Sequence, residues 1–538
     1  MANTYKGLSF CEASVTQKRP PTEIARFNDA IKIDWHWSQR RLLPVLDFLL
    51  FTVAQTCPWL DELPPCDARD LVAHNEDVKG ALINAWKTGE FATLADYLEL
   101  NIQPKKPYTG SQENITVNMN LADVANKAWR VPFVGKTHSV LLNNLDAMKR
   151  ASNHPNFVSI IQSSGFGKSR MVDEQAKLVF TIPIKLLVIK ESQAYPLPDV
   201  ELSQYLCSQF DENPIRSTEF YGSFLSSLFQ VVEAEVVRLS SVFPTRSALA
   251  FAWRMHLEGP RRREALYHRA IEEHKQQLNN TPTPDHAAAL KSLLRTVRSK
   301  VKPPTKGKKR GKREEANTII KENDVEIIVY FDEAHVLNPE NSDGSPNDTT
   351  LNALCSSFTA FVQQPIFFIF ISSRPSLFRS TPSSGPMVHS AQARYAEDLQ
   401  TPISETPFDC SPLFPVTLWE LSLQTVSTVE FMAQFGRPMF WAMLSGLESI
   451  EIRSLDIISL ARSKLTHREA PTSFDLLQPL AQLAVLDVRL AFAYNPTRTA
   501  ILDTIDTLVA NHMRVVYSAR TTREYMHTGY PSEPILAE

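Results

Sequence analysis

The chain has 538 residues, enough for roughly three or four domains and too long for a single compact one. Hydrophobic residues make up 43% of it and charged residues 21%, which is typical of a soluble globular protein and excludes a disordered or fibrous chain. The formal net charge of −3 gives no overall sign of nucleic-acid binding.

Cysteine usage and hydropathy restrict the cellular compartments in which we expect the protein. The 6 cysteines are scattered without a Cys-x-x-Cys pair, which argues against a zinc site or a disulfide framework. We therefore expect a reducing, intracellular compartment, either cytoplasmic or nuclear. The N-terminus shows no secretory signal, and the longest apolar stretch, Leu42–Ala54, is too short to cross a bilayer. No membrane association is expected.

Residues 1–118 are predicted to form a mainly helical region that ends in a linker. Apolar residues recur at intervals near three and four between Thr22 and Leu100, as in amphipathic helices. Within this region Trp35 and Trp37 are interpreted as core, with a partner surface as the alternative. A protein partner or self-association is expected through the helical regions. The polar, Pro-containing segment Asn101–Asn118 is interpreted as the linker.

The stretch Phe157–Arg170, FVSIIQSSGFGKSR, carries the clearest chemistry. Its apolar run Phe157–Ile161 predicts a buried strand, and a helical pattern opens at Lys168. A strand, a glycine-containing loop, Gly-Lys-Ser and a helix form the phosphate-binding P-loop arrangement. We therefore predict a P-loop core over residues 119–424, an α/β fold with a three-layer parallel sheet.

Each part of this loop has a predicted role. Gly165 and Gly167 let backbone N–H groups turn toward phosphate oxygens, and the helix N-terminus adds positive potential. Lys168 would reach the β- and γ-phosphates, and the hydroxyl of Ser169 would ligate Mg²⁺. With Arg170 at the helix start, these residues form the predicted nucleotide-binding set.

Two observations qualify this loop. The full pattern is G-x-x-x-x-G-K-[ST], and Gln162 occupies its first glycine position, where a Cβ could crowd the loop. A second triplet, Gly135-Lys136-Thr137, has no strong strand before it. We interpret that triplet as the approach to the helix Val140–Lys149, which precedes the P-loop strand.

A long insertion is predicted after the second strand, Phe180–Ile189. Helical patterns occupy much of residues 200–320, and the tract Lys300–Arg313, KVKPPTKGKKRGKR, closes them. A nuclear import signal, a nucleic-acid contact and a solvated loop are all compatible with this tract.

The segment Val325–His335, VEIIVYFDEAH, predicts a buried parallel strand that ends in acid. The carboxyl ends of such strands gather ligands in open α/β sheets. Asp332 would hold Mg²⁺, and Glu333 would orient and deprotonate the attacking water. His335 is interpreted as a structural or coupling residue.

A third apolar strand, Pro365–Ser373, precedes a candidate sensor. In P-loop ATPases the strand beside the Asp-Glu strand delivers a polar or cationic group to the γ-phosphate. Arg374 is the candidate, with Ser373 as the alternative. After a Ser-, Pro- and Thr-rich loop, Phe414–Leu421 is predicted as the last core strand.

Residues 425–538 are predicted to form an all-helical lid. The amphipathic segments are Thr425–Phe435, Met439–Leu447, Ile452–Leu465, Phe474–Phe492 and Thr497–Val516. A Gly-Arg-Pro sequence, residues 436–438, separates the first two.

Taken together, these motifs resemble the STAND branch of the AAA-like P-loop ATPases. That resemblance implies that Arg374 acts as the sensor and that Gly436 and Pro438 lie beside the adenine. The SSGFGKSR and FDEAH blocks and the PSEP ending resemble more narrowly the ATPase module of fungal Crinkler-type proteins, where an effector or toxin role is implied by the resemblance alone.

Three functional hypotheses follow from the sequence. The first is a regulatory switch that binds ATP with Mg²⁺ and hydrolyses it between sheet and lid. The second is a nucleic-acid-dependent ATPase or helicase-like remodeller, prompted by Asp-Glu-Ala-His and the basic tract. The third is a nucleotide-binding scaffold without turnover, prompted by Gln162.

Overall fold

The computed structural model describes two compact units, residues 1–117 with 254–263 and residues 118–253 with 264–538. The described ranges are 76–92, 128–150, 156–186, 196–208, 214–239, 242–259, 261–279, 285–302, 324–338, 349–377, 401–414, 421–445, 450–468, 477–495, 498–519 and 526–538, with single residues at 22, 24, 25, 28, 49, 50, 53, 94, 126 and 416.

Helices outnumber strands in these ranges. In chain order, the strands are β1 (Phe157–Ile161), β2 (Phe180–Lys185), β3 (Ile327–Asp332), β4 (Ile366–Ser372), β5 (Val515–Ala519) and β6 (Met526–Gly529). The helices are α1 (Glu76–Thr88), α2 (Thr137–Arg150), α3 (Lys168–Gln175), α4 (Val200–Ser208), α5 (Pro214–Arg238), α6 (Arg246–Glu258), α7 (Arg262–Asn279), α8 (His286–Ser299), α9 (Thr349–Ser357), α10 (Leu423–Val426), α11 (Val429–Met432), α12 (Pro438–Ser445), α13 (Ile450–Thr466), α14 (Pro479–Leu490), α15 (Thr499–Asn511) and α16 (Pro534–Ala537).

Some sequence predictions concern residues outside the described ranges. The cluster at Trp35 and Trp37, the linker Asn101–Asn118, and the basic tract beyond Lys302 all lie there. So does most of the strand predicted at Phe414–Leu421.

In the first unit, α1 buries one apolar side that includes Leu82, Ala85 and Trp86. The chain after α1 is held by Asn28, whose Oδ1 accepts hydrogen bonds from the N–H groups of Phe91 and Ala92 at 2.8 and 3.2 Å. These bonds satisfy backbone donors that lie beyond the helix end.

The second unit is built on a parallel sheet with the strand order β1-β4-β3-β2. Every residue of β1, β3 and β4 is buried. Runs of β-branched and aromatic residues suit such strands because both faces of a parallel sheet are covered. The α/β fold predicted from these runs is confirmed for this sheet.

Helices cover both faces of the sheet. On one face, Leu145 of α2 and Met171 of α3 share an apolar cluster with Ile160, Ile328 and Ile369 from three strands. On the other face, a short 3-10 turn after α9 places Phe358 against Phe368 of β4, with ring centroids 3.7 Å apart. The sheet is thus the middle of three layers.

The insertion between β2 and β3 is anchored at the amino end of β3. Glu326, just before that strand, accepts a bidentate pair of hydrogen bonds from Arg298 of α8 at 2.7 and 2.9 Å, and pairs with Arg246 at 3.0 Å. The basic tract starts at Lys300, two residues after Arg298. It therefore begins near the amino ends of the strands, opposite their carboxyl ends. No helix in the described ranges is long and apolar enough to cross a membrane.

The C-terminal part, residues 421–538, contains a β-hairpin, so the prediction of an all-helical lid over residues 425–538 is wrong. The helix predicted over Thr497–Val516 ends at Asn511, and Val515–Ala519 pairs with Met526–Gly529 in an antiparallel hairpin. Met513 takes a φ of 61°, which ends the helix and turns the chain. The following Val515-Val516-Tyr517 run favours a strand.

The helix predicted at Thr425–Phe435 is divided in two. The hydroxyl of Ser422 caps α10 by accepting from the N–H of Thr425, and the hydroxyl of Thr428 caps α11 by accepting from that of Phe431. Ser and Thr side chains compete in this way with a continuous helical hydrogen-bond ladder.

Candidate functional site

The loop between β1 and α3 brings a helix N-terminus to the carboxyl end of the central sheet. Gly165 and Gly167 have φ of 86° and 70°, in the left-handed region where a side chain would be strained. Gly167 is the N-cap of α3, and no side chain caps that terminus. The first N–H groups of a helix have no acceptor within the helix, so this end suits an anion.

Lys168 lies across the start of this loop. Its Nζ donates to the carbonyl oxygens of Gln162 and Ser163 at 2.6 and 3.0 Å. These two carbonyl oxygens therefore hold the ammonium group of Lys168 at the loop, where a phosphate would also bind.

Ser169 of α3 contacts Asp332 of β3, although β1, the strand that leads to α3, is not a neighbour of β3. The hydroxyl of Ser169 donates to Oδ1 of Asp332 at 2.9 Å, and Asp332 as a whole is only 3% exposed. Strand β4 lies between β1 and β3, so α3 reaches over one strand to make this contact. Two hard oxygen ligands at this separation match the preference of Mg²⁺.

Among the described residues, no group of three or more His, Cys, Asp or Glu side chains could form a metal cage. Ser169 and Asp332 are the protein groups that could hold a cation at this place, with phosphate oxygens and water as its other ligands. This is the usual environment of Mg²⁺ with nucleotides.

Glu333 follows Asp332 in a conformation that is rare for its residue type. Its φ of 55° lies in the left-handed region, and its N–H donates to Oδ1 of Asp332 at 3.1 Å. Strained backbone of this kind concentrates at functional sites. The Glu333 side chain is 26% exposed and can therefore meet water.

His335 is packed behind Glu333. Burial lowers the pKa of His335 to about 4, and the positive charges of Arg374 and Lys168 act in the same direction. Its Nδ1 lies 3.5 Å from Oε2 of Glu333, without the geometry of a hydrogen bond. A neutral imidazole thus borders the carboxylate, and the structural or coupling role of His335 stays a prediction.

Arg374 lies at the same edge of the sheet. Its N–H donates to the hydroxyl of Ser372, at the end of β4, at 2.9 Å. Its charge acts on His335 together with that of Lys168, so the structure brings Arg374, His335 and Lys168 into one neighbourhood.

Arg170 has a different environment. Its guanidinium pairs with Asp173 at 3.0 Å and with Glu174 at 3.7 Å on its own helix, and it lies 5.5 Å from the ring centre of Trp129. The side chain therefore faces the segment before α2, and its backbone N–H remains at the helix start.

The side chain of Gln162 extends toward the C-terminal part. Its Nε2 donates to the carbonyl oxygens of Val516 and Ser404 at 2.8 and 3.2 Å, and its Oε1 accepts from the N–H groups of Val516 and Ser163 at 2.9 and 3.0 Å. Gln162 is thus a fully bonded connection to β5, and its amide is directed to Val516 and Ser404.

Gly436 and Pro438, predicted to lie beside adenine, are at the start of α12. The N–H of Gly436 donates to Oδ1 of Asp409 at 2.6 Å, and a Cβ on Gly436 would lie 2.6 Å from the side chain of Glu533. Pro438 begins the helix, and the next residue, Met439, donates its N–H to the carbonyl of Gly165 at 3.2 Å. The contacts with the loop are thus made by Arg437 and Met439, the residues on either side of Pro438.

Sequence reasoning missed Arg437. This side chain is fully buried and pairs with Glu533 at 2.6 Å, and it also reaches the loop. The available signal was a charged residue between Gly436 and Pro438, but its partner lies 96 positions later in the chain.

No protein-family model matches this chain, and no curated protein or solved structure matches it either. The likeness to STAND and Crinkler-type ATPases thus stays a prediction from motifs, and function is argued from the site itself.

Proposed function

We propose that this protein binds ATP with Mg²⁺ at the loop between β1 and α3 and hydrolyses it as a regulatory switch of the STAND/AAA-like type. The observation that carries the proposal is the contact of Ser169 with Asp332 at 2.9 Å, beside Lys168 and an uncapped helix N-terminus. These groups match a triphosphate and its cation, and they come from separate parts of the chain.

The strand order supports the same assignment. We call the loop between β1 and α3, residues 162–167, the phosphate loop. Because β4 lies between β1 and β3, three groups follow three adjacent strands at their carboxyl ends: the phosphate loop, the acidic pair Asp332 and Glu333, and Arg374. Ligands bind at the carboxyl ends of strands in open parallel sheets.

The residues would divide the work as follows. Lys168 and the N–H groups of the loop would hold the phosphates, and Ser169 and Asp332 would hold Mg²⁺, which would supply positive charge against them. Glu333 would take the proton of the attacking water, and Arg374 would stabilise charge on the γ-phosphate. Gly436 and Pro438 would border the base.

The two alternatives gain no comparable support. The scaffold hypothesis depended on Gln162, whose side chain bonds to Val516 and Ser404. The remodeller hypothesis was prompted by Asp-Glu-Ala-His, which also suits the switch, and by the basic tract, which lies mostly outside the described residues. We propose nuclear import as the role of that tract.

The experiment measures ATP affinity with Mg²⁺ and with EDTA, and phosphate release, for wild type and variants. Asp332→Asn should lose the Mg²⁺-dependent part of the affinity. Asp324→Asn, an acid before the amino end of the same strand, is the matched control and should behave as wild type. Equal effects of the two substitutions would contradict the metal assignment.

Glu333→Gln tests hydrolysis in the same assay. It should bind ATP as wild type does and release phosphate roughly a hundredfold more slowly, because a positioned general base contributes about 10²–10⁴ in rate. Turnover at the wild-type rate would remove Glu333 from the mechanism.

A further inference from the structure

A buried ion pair joins the C-terminal part to the phosphate loop. Nε and Nη2 of Arg437 donate to the carboxylate of Glu533 at 2.8 and 2.6 Å, and the backbone N–H of Arg437 donates to it at 2.9 Å. Both side chains have no exposed surface. A buried charge pair of this kind is stable only when its hydrogen bonds are satisfied.

The same guanidinium holds the outer side of the loop. Its Nη1 donates to the carbonyl of Ser164 at 2.7 Å, and it lies 4.8 Å from the ring centre of Phe166. Nη2 also donates to the carbonyl of Met513 at 2.8 Å. Every nitrogen of Arg437 therefore donates to an acceptor inside the protein. This environment indicates a structural role for the side chain and not direct binding of a ligand.

These contacts fix the direction of consecutive peptide groups. The carbonyls of Gln162 and Ser163 accept from Lys168, that of Ser164 accepts from Arg437, and that of Gly165 accepts from the N–H of Met439. Because a peptide group is planar and trans, a carbonyl held on one side fixes the next N–H on the other. The N–H groups of Gly165 and Phe166 are thus oriented from the C-terminal part.

Two glycines permit this close approach. A Cβ on Gly165 would lie 3.0 Å from Cδ of Arg437, and one on Gly436 would lie 2.6 Å from the Glu533 side chain. Both glycines have a φ of 86°. Arg437 and its partner Glu533 are therefore packed against the backbone turns at Gly165 and Gly436. A side chain at either glycine would disturb this packing.

We propose that Arg437, held by Glu533, is a positioning residue for the phosphate loop, so that nucleotide affinity depends on a segment near residue 533. This inference rests on the proposed function for its ligand, and on the contacts alone for its geometry.

The C-terminal part offers a matched control. Arg514 and Asp487 form a second buried ion pair, with 2% and 1% of their side chains exposed. Arg514 donates also to the hydroxyl and carbonyl of Thr528 and lies over the rings of Tyr494 and Tyr530. None of these partners belongs to the phosphate loop.

The experiment compares Glu533→Gln with Asp487→Asn, since each removes the charge of one buried carboxylate. Hydrogen exchange of peptides that cover residues 162–169 is measured without nucleotide, and Mg²⁺–ATP affinity is measured separately. Glu533→Gln should speed exchange in the loop roughly tenfold and weaken ATP binding about tenfold, because small displacements of binding groups cost this much or more. Asp487→Asn should leave both within about twofold.

Arg437→Lys provides a second variant that keeps the charge. A lysine can pair with Glu533, but it lacks the planar fork that also reaches Ser164, so loop exchange should again increase. Loop exchange that is the same in Glu533→Gln, Arg437→Lys and Asp487→Asn would overturn the proposal, even if wild type binds ATP. If wild type binds no ATP, the proposed function fails, and the exchange data alone decide whether the pair positions the loop.

Discussion

The amide of Gln162 satisfies all of its hydrogen-bonding capacity in the fold. Both N–H donors and both acceptor positions are engaged, and Val516 supplies a donor and an acceptor from β5. A glycine at this position would remove these partners from the backbone groups of Val516, which is a buried residue of β5. The departure from the usual P-loop pattern therefore has a structural reason.

Gln162→Gly should destabilise the protein, although it restores the usual glycine. The loss of these four hydrogen bonds should lower the free energy of unfolding by roughly 4 kcal/mol, at about 1 kcal/mol for each bond. Urea unfolding measures this. Gln363→Gly, at an exposed turn before β4, controls for added backbone entropy and should cost less than about 1 kcal/mol. A variant as stable as wild type with tighter ATP binding would show that Gln162 obstructs the loop.

At the scale of elements, α12 connects the core of the C-terminal part with the phosphate loop. Its Phe440 and Leu444 share an apolar cluster with Ile535 of α16. At its other end, Arg437 just before the helix and the N–H of Met439 in the first turn bond to the loop. Gly436 sets the position of this helix by exchanging hydrogen bonds with Asp409.

Gly436→Ala should therefore disturb both sides of this connection. The new Cβ meets Glu533 at 2.6 Å and requires a left-handed backbone, so we expect a loss of roughly 2–4 kcal/mol in unfolding free energy. Thermal unfolding measures it. Gly80→Ala is the control, since Gly80 lies exposed in α1 with no atom within 4 Å of an added Cβ. That change should stabilise its helix by up to about 1 kcal/mol. A Gly436→Ala protein as stable as wild type would contradict the packing described.

At the scale of the whole molecule, buried histidines make stability depend on pH. Burial lowers the pKa of His274 to about 4, and the pKa of His335 is lowered to about 4 as well. His274 is fully buried, with Nδ1 at 2.9 Å from the hydroxyl of Tyr205. Well above pH 6.5 neither histidine is protonated in the folded or the unfolded chain, so neither contributes to the pH dependence there.

As the pH falls from 6.5 toward 4, the unfolded chain takes up these protons first, and stability is lost. Each histidine should cost about 2 kcal/mol of unfolding free energy between pH 7 and pH 5. Urea unfolding at the two pH values should show a smaller loss for His274→Gln than for wild type by about that amount. An equal loss in both proteins would contradict the burial of a neutral His274.

The sequence predicts those features of the fold and of the site that depend on residues close together in the chain. Strands β1, β3 and β4, the loop glycines and the acid at the end of β3 all follow from short local patterns. The links that hold the loop do not, because Gln162 and Val516 are 354 positions apart and Arg437 and Glu533 are 96 apart. The β5–β6 hairpin was missed for a related reason: its short apolar strand continues the helical spacing of α15.

The central claim is that Lys168 and its loop bind a nucleoside triphosphate, and an equilibrium titration with ATP and Mg²⁺ tests it most directly. Lys136 provides the matched control, since it stands in a Gly-Lys-Thr triplet at the start of a helix, as Lys168 stands in Gly-Lys-Ser, but it follows no strand in the described ranges. Wild type and Lys136→Ala should bind ATP equally, and Lys168→Ala should bind roughly tenfold or more weakly, because a charge-assisted hydrogen bond contributes about 1.5–3 kcal/mol. Absence of binding by wild type, or equal binding by Lys168→Ala, would contradict the account.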